Sequence, residues 1–227
     1  MFFDPLYFVF LAPAILLGLW AQFRVKSNFA KAAKIAAPMS GAQAARVVLN
    51  HAGLQNVGIE PVHGFLSDHY DPHQKVLRLS PDVYAGHSMA AVGIAAHEAG
   101  HAIQDARHYL PLIVRNAAVP AASFGSGISW ILIMLGLFLS QTLVWLGILA
   151  FACVVFFQLV NLPVEFDASA RAKRELAALG ISNASTSGYV NKVLNAAAWT
   201  YVAATLQSAL TLAYFLLRFG GLGSSDD

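Results

Sequence analysis

Three stretches of the chain hold no Asp, Glu, Lys, Arg or His: residues 5–23, 116–164 and 193–217, of 19, 49 and 25 residues. A helix needs about 20 apolar residues to cross the hydrocarbon core of a bilayer, so the first and third stretches each predict one spanning helix. The middle one is too long for a single crossing and fits two, with the turn at its most polar point, Ser140-Gln141-Thr142. The pattern thus predicts four spans, at about 5–23, 118–139, 143–163 and 193–217. Pro13 is placed to kink the first, and Trp20 suits a membrane interface. Ala121, Ala122, Ser123, Gly125, Ser126, Gly127 and Ser129 make the start of the second span small-faced, which favours close helix contact in lipid. The runs do not alternate polar and apolar, so an outer-membrane barrel is not expected.

The segments between the spans have other periods. Residues 38–53 read as an amphipathic helix, with Ser40 as N-cap and Ala44, Val47, Val48 and Leu49 as its apolar face. Val57, Ile59 and Val62 suggest one short strand and Lys75–Leu79 another, joined by the turn-rich Leu66-Ser67-Asp68-His69-Tyr70-Asp71-Pro72. A small hairpin or three-stranded edge sheet follows. Ser80-Pro81-Asp82 looks like a helix start with Pro at its first position, and a longer helix is expected over about 88–106. The fold class is therefore mainly α: a four-span helical membrane protein with a small β-hairpin or edge sheet, a single membrane-embedded domain over 1–227.

Composition agrees. Hydrophobic residues make up 57% of the chain and charged ones 11%, less than half the roughly 25% of soluble domains, which argues against a soluble or a disordered chain. A formal net charge of +2 is too small to suggest nucleic acid as a partner. The one cysteine, Cys153, cannot form an internal disulfide, so no oxidising compartment is implied. Asp4 and no basic residue precede the first apolar stretch, which opens on Pro5 and is followed by the basic residues, so it reads as a retained span and not a cleaved signal. Nine basic residues lie between Arg24 and Arg115 and four between Arg171 and Lys192; the opposite side has only Arg218. By the positive-inside tendency, segments 24–115 and 164–192 are expected in the cytoplasm and both termini outside.

The expected helix over 88–106 carries His97-Glu98-Ala99-Gly100-His101. Residues four apart share one helical face, so both imidazoles can aim at one zinc ion, while Glu98 can reach a water activated there without itself binding the metal. A solvated membrane-proximal helix that merely carries these residues is the plainer alternative. A catalytic zinc needs a third protein ligand and an open fourth position. Ala102-Ile103-Gln104-Asp105 follows His101, so no third histidine of the metzincin kind is present. Glu165 stands out among the downstream carboxylates and histidines: it is the first charge after the apolar hairpin, which goes out and returns to the face of His97 and His101. It otherwise simply marks the membrane boundary, paired with Arg171.

These features resemble the bacterial YugP-type neutral zinc metallopeptidases, nearly end to end: Phe3-Asp4-Pro5-Leu6-Tyr7, Trp20-Ala21-Gln22, Ser67 to Pro72, Ala96 to His101 and Leu162 to Ser169. The two histidines with the later glutamate also look like the broader group of HtpX and CAAX-prenyl proteases, a gluzincin-like arrangement. That resemblance implies zinc at the cytoplasmic membrane face, with a glutamate of a later helix as third ligand. The group usually has an Asp four residues after that glutamate, orienting a histidine. Here position 169 is Ser and the acid is Asp167, so both are candidates for that role.

Asp68, His69, Tyr70 and Asp71 either stabilise the oxyanion and hold substrate beside the zinc or are turn formers. Arg171 either supports the site or anchors the membrane interface. His51, His63, His73, His87 and His108 follow no ligand spacing and are expected at the surface. The leading expectation is an integral-membrane endopeptidase of the bacterial plasma membrane, its active site facing the cytoplasm. It binds one Zn2+ per chain through His97, His101 and Glu165, with Glu98 as general base. Its partners are a polypeptide substrate, the lipid bilayer and either a membrane-protein partner or further copies of the chain. The rival is a non-proteolytic membrane assembly module with a structural zinc site. A transporter is less favoured, because the three charge-free runs offer no intramembrane acid or base to mark a pathway.

Overall fold

The computed structural model describes residues 5–64 and 67–220; Phe3, Asp4, Leu66 and the residues after Gly220 lie outside the described residues. The chain is mainly helical, and four of its helices are long and apolar enough to cross a membrane: α1 (Pro5–Ala32), α5 (Leu110–Leu139), α6 (Gln141–Ala178) and α7 (Ser187–Gly220). Each contains one of the expected spans and runs beyond it. Between α1 and α5 lie α2 (Gly41–His51), β1 (Gly58–Pro61), β2 (His69–Asp71), β3 (Val76–Leu79), α3 (Pro81–Tyr84) and α4 (Met89–Ala106).

Two compact units emerge, each discontinuous in sequence. Among the described residues, the first comprises 5–20, 114–162 and 200–220. Here α5 and α6 form a hairpin joined at Ser140, whose hydroxyl accepts from the Thr142 amide and caps α6. The two helices come together because glycines remove the side chains that would separate them. A Cβ on Gly125 would stand 2.5 Å from the Ala150 carbonyl oxygen, and one on Gly136 2.5 Å from the Val144 nitrogen. This is the small-residue contact that lipid favours. Ile133, Val144, Ile148, Phe151 and Phe215 form the core of this unit, with Trp130 edge-on to Phe215 at 5.5 Å. Phe124, Phe138, Leu139 and Leu149 are exposed, as side chains facing lipid would be.

The second unit comprises residues 21–113 and 163–199 and holds every candidate site residue. Ser40 caps α2 through a full capping box with Gln43. Ala44, Val48 and Leu49 are buried as the periodicity predicts, but Val47 is 36% exposed and lies off the apolar face. The sheet has the order β1-β3-β2, with β1 parallel and β2 antiparallel to β3. The stretch read as turn around residues 66–72 thus includes a third strand; three residues are too few to show alternation. Leu77 and Leu79 of β3 are fully buried, each worth about 1.5–3 kcal/mol in apolar burial. Against this sheet and α2 packs α4, capped by Ser88. All its alanines but Ala106 are buried, as is Val92, so α4 is the central helix of the unit. Ala172 and Leu176 of α6 and Val190 and Leu194 of α7 complete this core.

Candidate metal centre

Two helices build the site. On α4, His97 and His101 share one face, with ring centroids 4.8 Å apart and planes at 82°. On α6, Glu165 and Ser169 are likewise one turn apart, beside the fully buried Ala168 and Ala172. The helices approach closely because Gly100 lies between the histidines: a Cβ there would stand 2.6 Å from the Ala168 carbonyl oxygen. α6 continues through Pro163 without a break, so the segment after the apolar stretch stays helical and presents its carboxylates in register with α4.

His97 Nε2 lies 3.2 Å from Glu165 Oε2, and His101 Nε2 lies 3.8 Å from the same oxygen. One donor atom from each of the three residues falls within a 4.8 Å set. Two ligand atoms bound tetrahedrally to one zinc at about 2.1 Å would stand about 3.4 Å apart. The spacing, the N2O donor chemistry and the burial (Glu165 is 4% exposed) fit a divalent cation. Among the described residues this metal-ligand cluster has three members.

The far edge of each imidazole is held. His97 Nδ1 lies 3.1 Å from Ser169 Oγ. His101 Nδ1 lies 3.0 Å from Gln104 Oε1. Gln104 is fully buried, and its amide nitrogen donates to the Val164 carbonyl at 2.8 Å and to Asp167 Oδ2 at 2.9 Å. Both partners are acceptors, so the amide orientation is fixed and its oxygen must face His101. His101 then carries its proton on Nδ1, and Nε2 keeps a lone pair for a metal. Asp167 in turn accepts from Arg171 Nε at 2.5 Å, so Arg171 pairs with Asp167 and not with Glu165, and its guanidinium lies 5.7 Å from the Tyr109 ring centroid. Gln104 carried no signal in the sequence: a glutamine three residues after a histidine reads as an ordinary helix-surface residue until its burial is known.

Glu98 is 8% exposed. Burial pushes its carboxyl up to about 7; His97 pulls the value down, and the charges of Glu165 and Asp68 add to the rise. For His97, burial opposes the charged ring, but the hydrogen bond to Glu165 and the charges of Glu98 and Glu165 raise the imidazole above its ordinary value.

The β2 cluster divides by partner. Asp68 Oδ1 accepts from the Ser80 amide and both its oxygens accept from the Ser80 hydroxyl. Tyr70 donates to Asp105 Oδ2 at 2.7 Å, and burial with this bond raises its phenol pKa. Asp71 accepts from Arg78 and from the amides of His73 and Gln74. His69 alone of the four is exposed; its Nδ1 lies 2.8 Å from the Ser67 carbonyl, and its charge acts on Glu98. His51, His63, His73, His87 and His108 are all exposed.

A family model described as "Putative neutral zinc metallopeptidase" matches residues 7–220. The chain belongs to this family. The zinc metallopeptidase match covers both helices of the metal cluster. The chain is also 47% identical over 216 residues to the protein of Bacillus subtilis (strain 168) named "Putative membrane protease YugP", covering 93% of this chain and 96% of that protein. No solved structure matches. Family and relative together make the chain a zinc metallopeptidase, and its four apolar helices fit a membrane protein.

Proposed function

We propose that the chain, as a single membrane-embedded domain, is a zinc-dependent endopeptidase of the plasma membrane that hydrolyses peptide bonds of cytoplasmic or membrane-proximal polypeptides. The observation that carries this reading is the convergence of His97, His101 and Glu165, with the buried Glu98 beside them. His97 Nε2, His101 Nε2 and a Glu165 oxygen hold one zinc per chain. A zinc ion held there would supply Lewis-acid chemistry, polarising a carbonyl and lowering the pKa of water toward neutrality. Glu98 accepts the proton of the attacking water and returns it to the departing amine. Ser169 and Gln104 hold the imidazoles with their Nε2 lone pairs toward the metal, and Asp167 and Arg171 hold Gln104. His69, exposed and oriented by Ser67, contacts substrate; Asp68, Tyr70 and Asp71 hold the sheet that presents it. An extended peptide adds to the outer edge of β2 by strand pairing.

Three candidate protein ligands, not four, are what a catalytic zinc would need, which supports a catalytic over a structural site. The thirteen basic residues of segments 24–115 and 164–192 support a cytoplasmic placement, and an even number of crossings in the α5–α6 hairpin agrees with it. The test is Glu98→Gln in the full chain: about one zinc retained per chain, with peptide cleavage down by about 10²–10⁴-fold. Wild type without zinc, or cleavage unchanged in the variant, overturns the mechanism. Zinc bound with four side chains and no peptidase activity would point to the assembly module instead.

A further inference from the structure

Away from the metal centre, a cavity of about 320 Å³ lies where the end of α1 meets the start of α7, at the lower end of the range of small-ligand sites, about 300–1,000 Å³. One wall comes from a single face of α1: Arg24, Ser27, Asn28 and Lys31, at spacings of three, one and three residues. The other comes from Tyr189 and Lys192 of α7, three residues apart. Asn28 Nδ2 donates to the Lys192 carbonyl at 3.3 Å and joins the walls. Beneath them, Ala32 and Val193 are buried with Phe29 and Tyr189 packed against them, which gives the cavity a firm base.

The charges are one-sided. Three cations line the cavity and no carboxylate does. Neither Lys31 nor Lys192 joins an ion pair among the described residues. Lys31 and Lys192 therefore repel each other across one small space until an anion enters. Position selects the anion. Arg24 is the first charge after the 5–23 stretch and Lys192 the last before the 193–217 stretch, so the cations sit where each apolar run ends. Phe23, also lining the cavity and 70% exposed, carries the apolar surface of α1 up to its mouth. A ligand that fits both parts has a phosphate beside an acyl-bearing glycerol.

We propose that this cavity binds the phosphate of an anionic phospholipid, with Arg24, Lys31 and Lys192 on the phosphate, the Ser27 hydroxyl donating to it and Phe23 against the glycerol end. Soluble phosphate shares the charge and hydrogen-bonding chemistry but not the apolar part. A lipid held there ties the start of α7 and the end of α1 to the bilayer surface.

Native mass spectrometry of the full chain in neutral detergent tests this, titrating dioleoyl phosphatidylglycerol against dioleoyl phosphatidylcholine. Wild type is expected to retain one phosphatidylglycerol in preference to phosphatidylcholine. Lys31→Gln with Lys192→Gln is expected to weaken that binding about 25-fold, from about fivefold per interfacial cation. Lys31→Arg with Lys192→Arg is expected to keep it, and Arg107→Gln, at an exposed cation elsewhere, to leave it unchanged. Arg24→Gln, with about a fivefold loss, serves if the double variant does not fold. Equal retention of the two lipids, or no loss in the Gln variants, overturns the site. Displacement of the lipid by inorganic phosphate at equal concentration overturns the lipid as its source.

Discussion

Gln104 shows how far a single side chain reaches. Its amide nitrogen is committed to two acceptors, so its oxygen dictates which nitrogen of His101 holds the proton. Gln104→Leu keeps the approximate volume and removes all three hydrogen bonds. Zinc affinity is expected to fall about 10–100-fold, the usual effect of losing a group that orients a metal-bound histidine; chelator competition on the purified chain measures it. An unchanged affinity would mean that His101 orients itself. That His97 and His101 share one face could be read from the sequence because a helix brings residues four apart together. Gln104 could not, since nothing in its spacing distinguishes a buried amide from a solvated one. The choice between Asp167 and Ser169 was also closed to the sequence. Ser169 meets His97 directly, whereas Asp167 reaches His101 only through Gln104, a relay that depends on side-chain burial.

At the scale of elements, the site depends on the close approach of α4 and α6 at Gly100. Gly100→Ala places a methyl group against the Ala168 backbone, which cannot yield as a flexible side chain would. The expected outcome is overpacking of about 1–3 kcal/mol and, with Glu165 displaced from the histidines, about tenfold weaker zinc binding by the same competition assay. Gly127→Ala, where nothing lies within 4 Å of the added carbon, should leave zinc binding unchanged. The β2–β3 hairpin carries a pH-dependent contact. The Arg78 guanidinium and the amides of the turn lower the Asp71 carboxyl from 3.8 to about 2. A depressed carboxylate stabilises the fold above the unfolded value, and that contribution is lost as pH falls from about 3.8 through about 2. A carboxyl-carbon titration of Asp71 should give a midpoint near 2 that moves up toward 3.8 in Arg78→Gln; a midpoint already at 3.8 in wild type would show that the pair does not form. Elements with strong periods or caps were legible, among them α2 behind its Ser40 cap and α4 over about 88–106. The strand β2 was not, because His69–Asp71 is held by its pairing with β3 and not by any pattern of its own.

For the whole molecule, the charge-free runs had the clearest meaning, because about 20 apolar residues have few uses besides crossing a membrane. They located the turn at Ser140 and the four long helices. They did not locate the helix ends: α6 runs on through Pro163 to Ala178, and a proline after a long apolar run reads as a stop. That continuity is what aligns Glu165, Asp167, Ser169 and Arg171 with α4 across 68 residues of sequence separation between His97 and Glu165. On the proposed function, the apolar hairpin between His101 and Glu165 returns a glutamate to complete a metal site begun on α4. A zinc-edge anomalous map of the full chain, purified with zinc and no competing chelator, tests it most directly. The predicted result is one zinc per chain held by His97 Nε2, His101 Nε2 and a Glu165 oxygen, with water in the fourth position. Zinc bound without Glu165, or closed off by a fourth side chain, would contradict it.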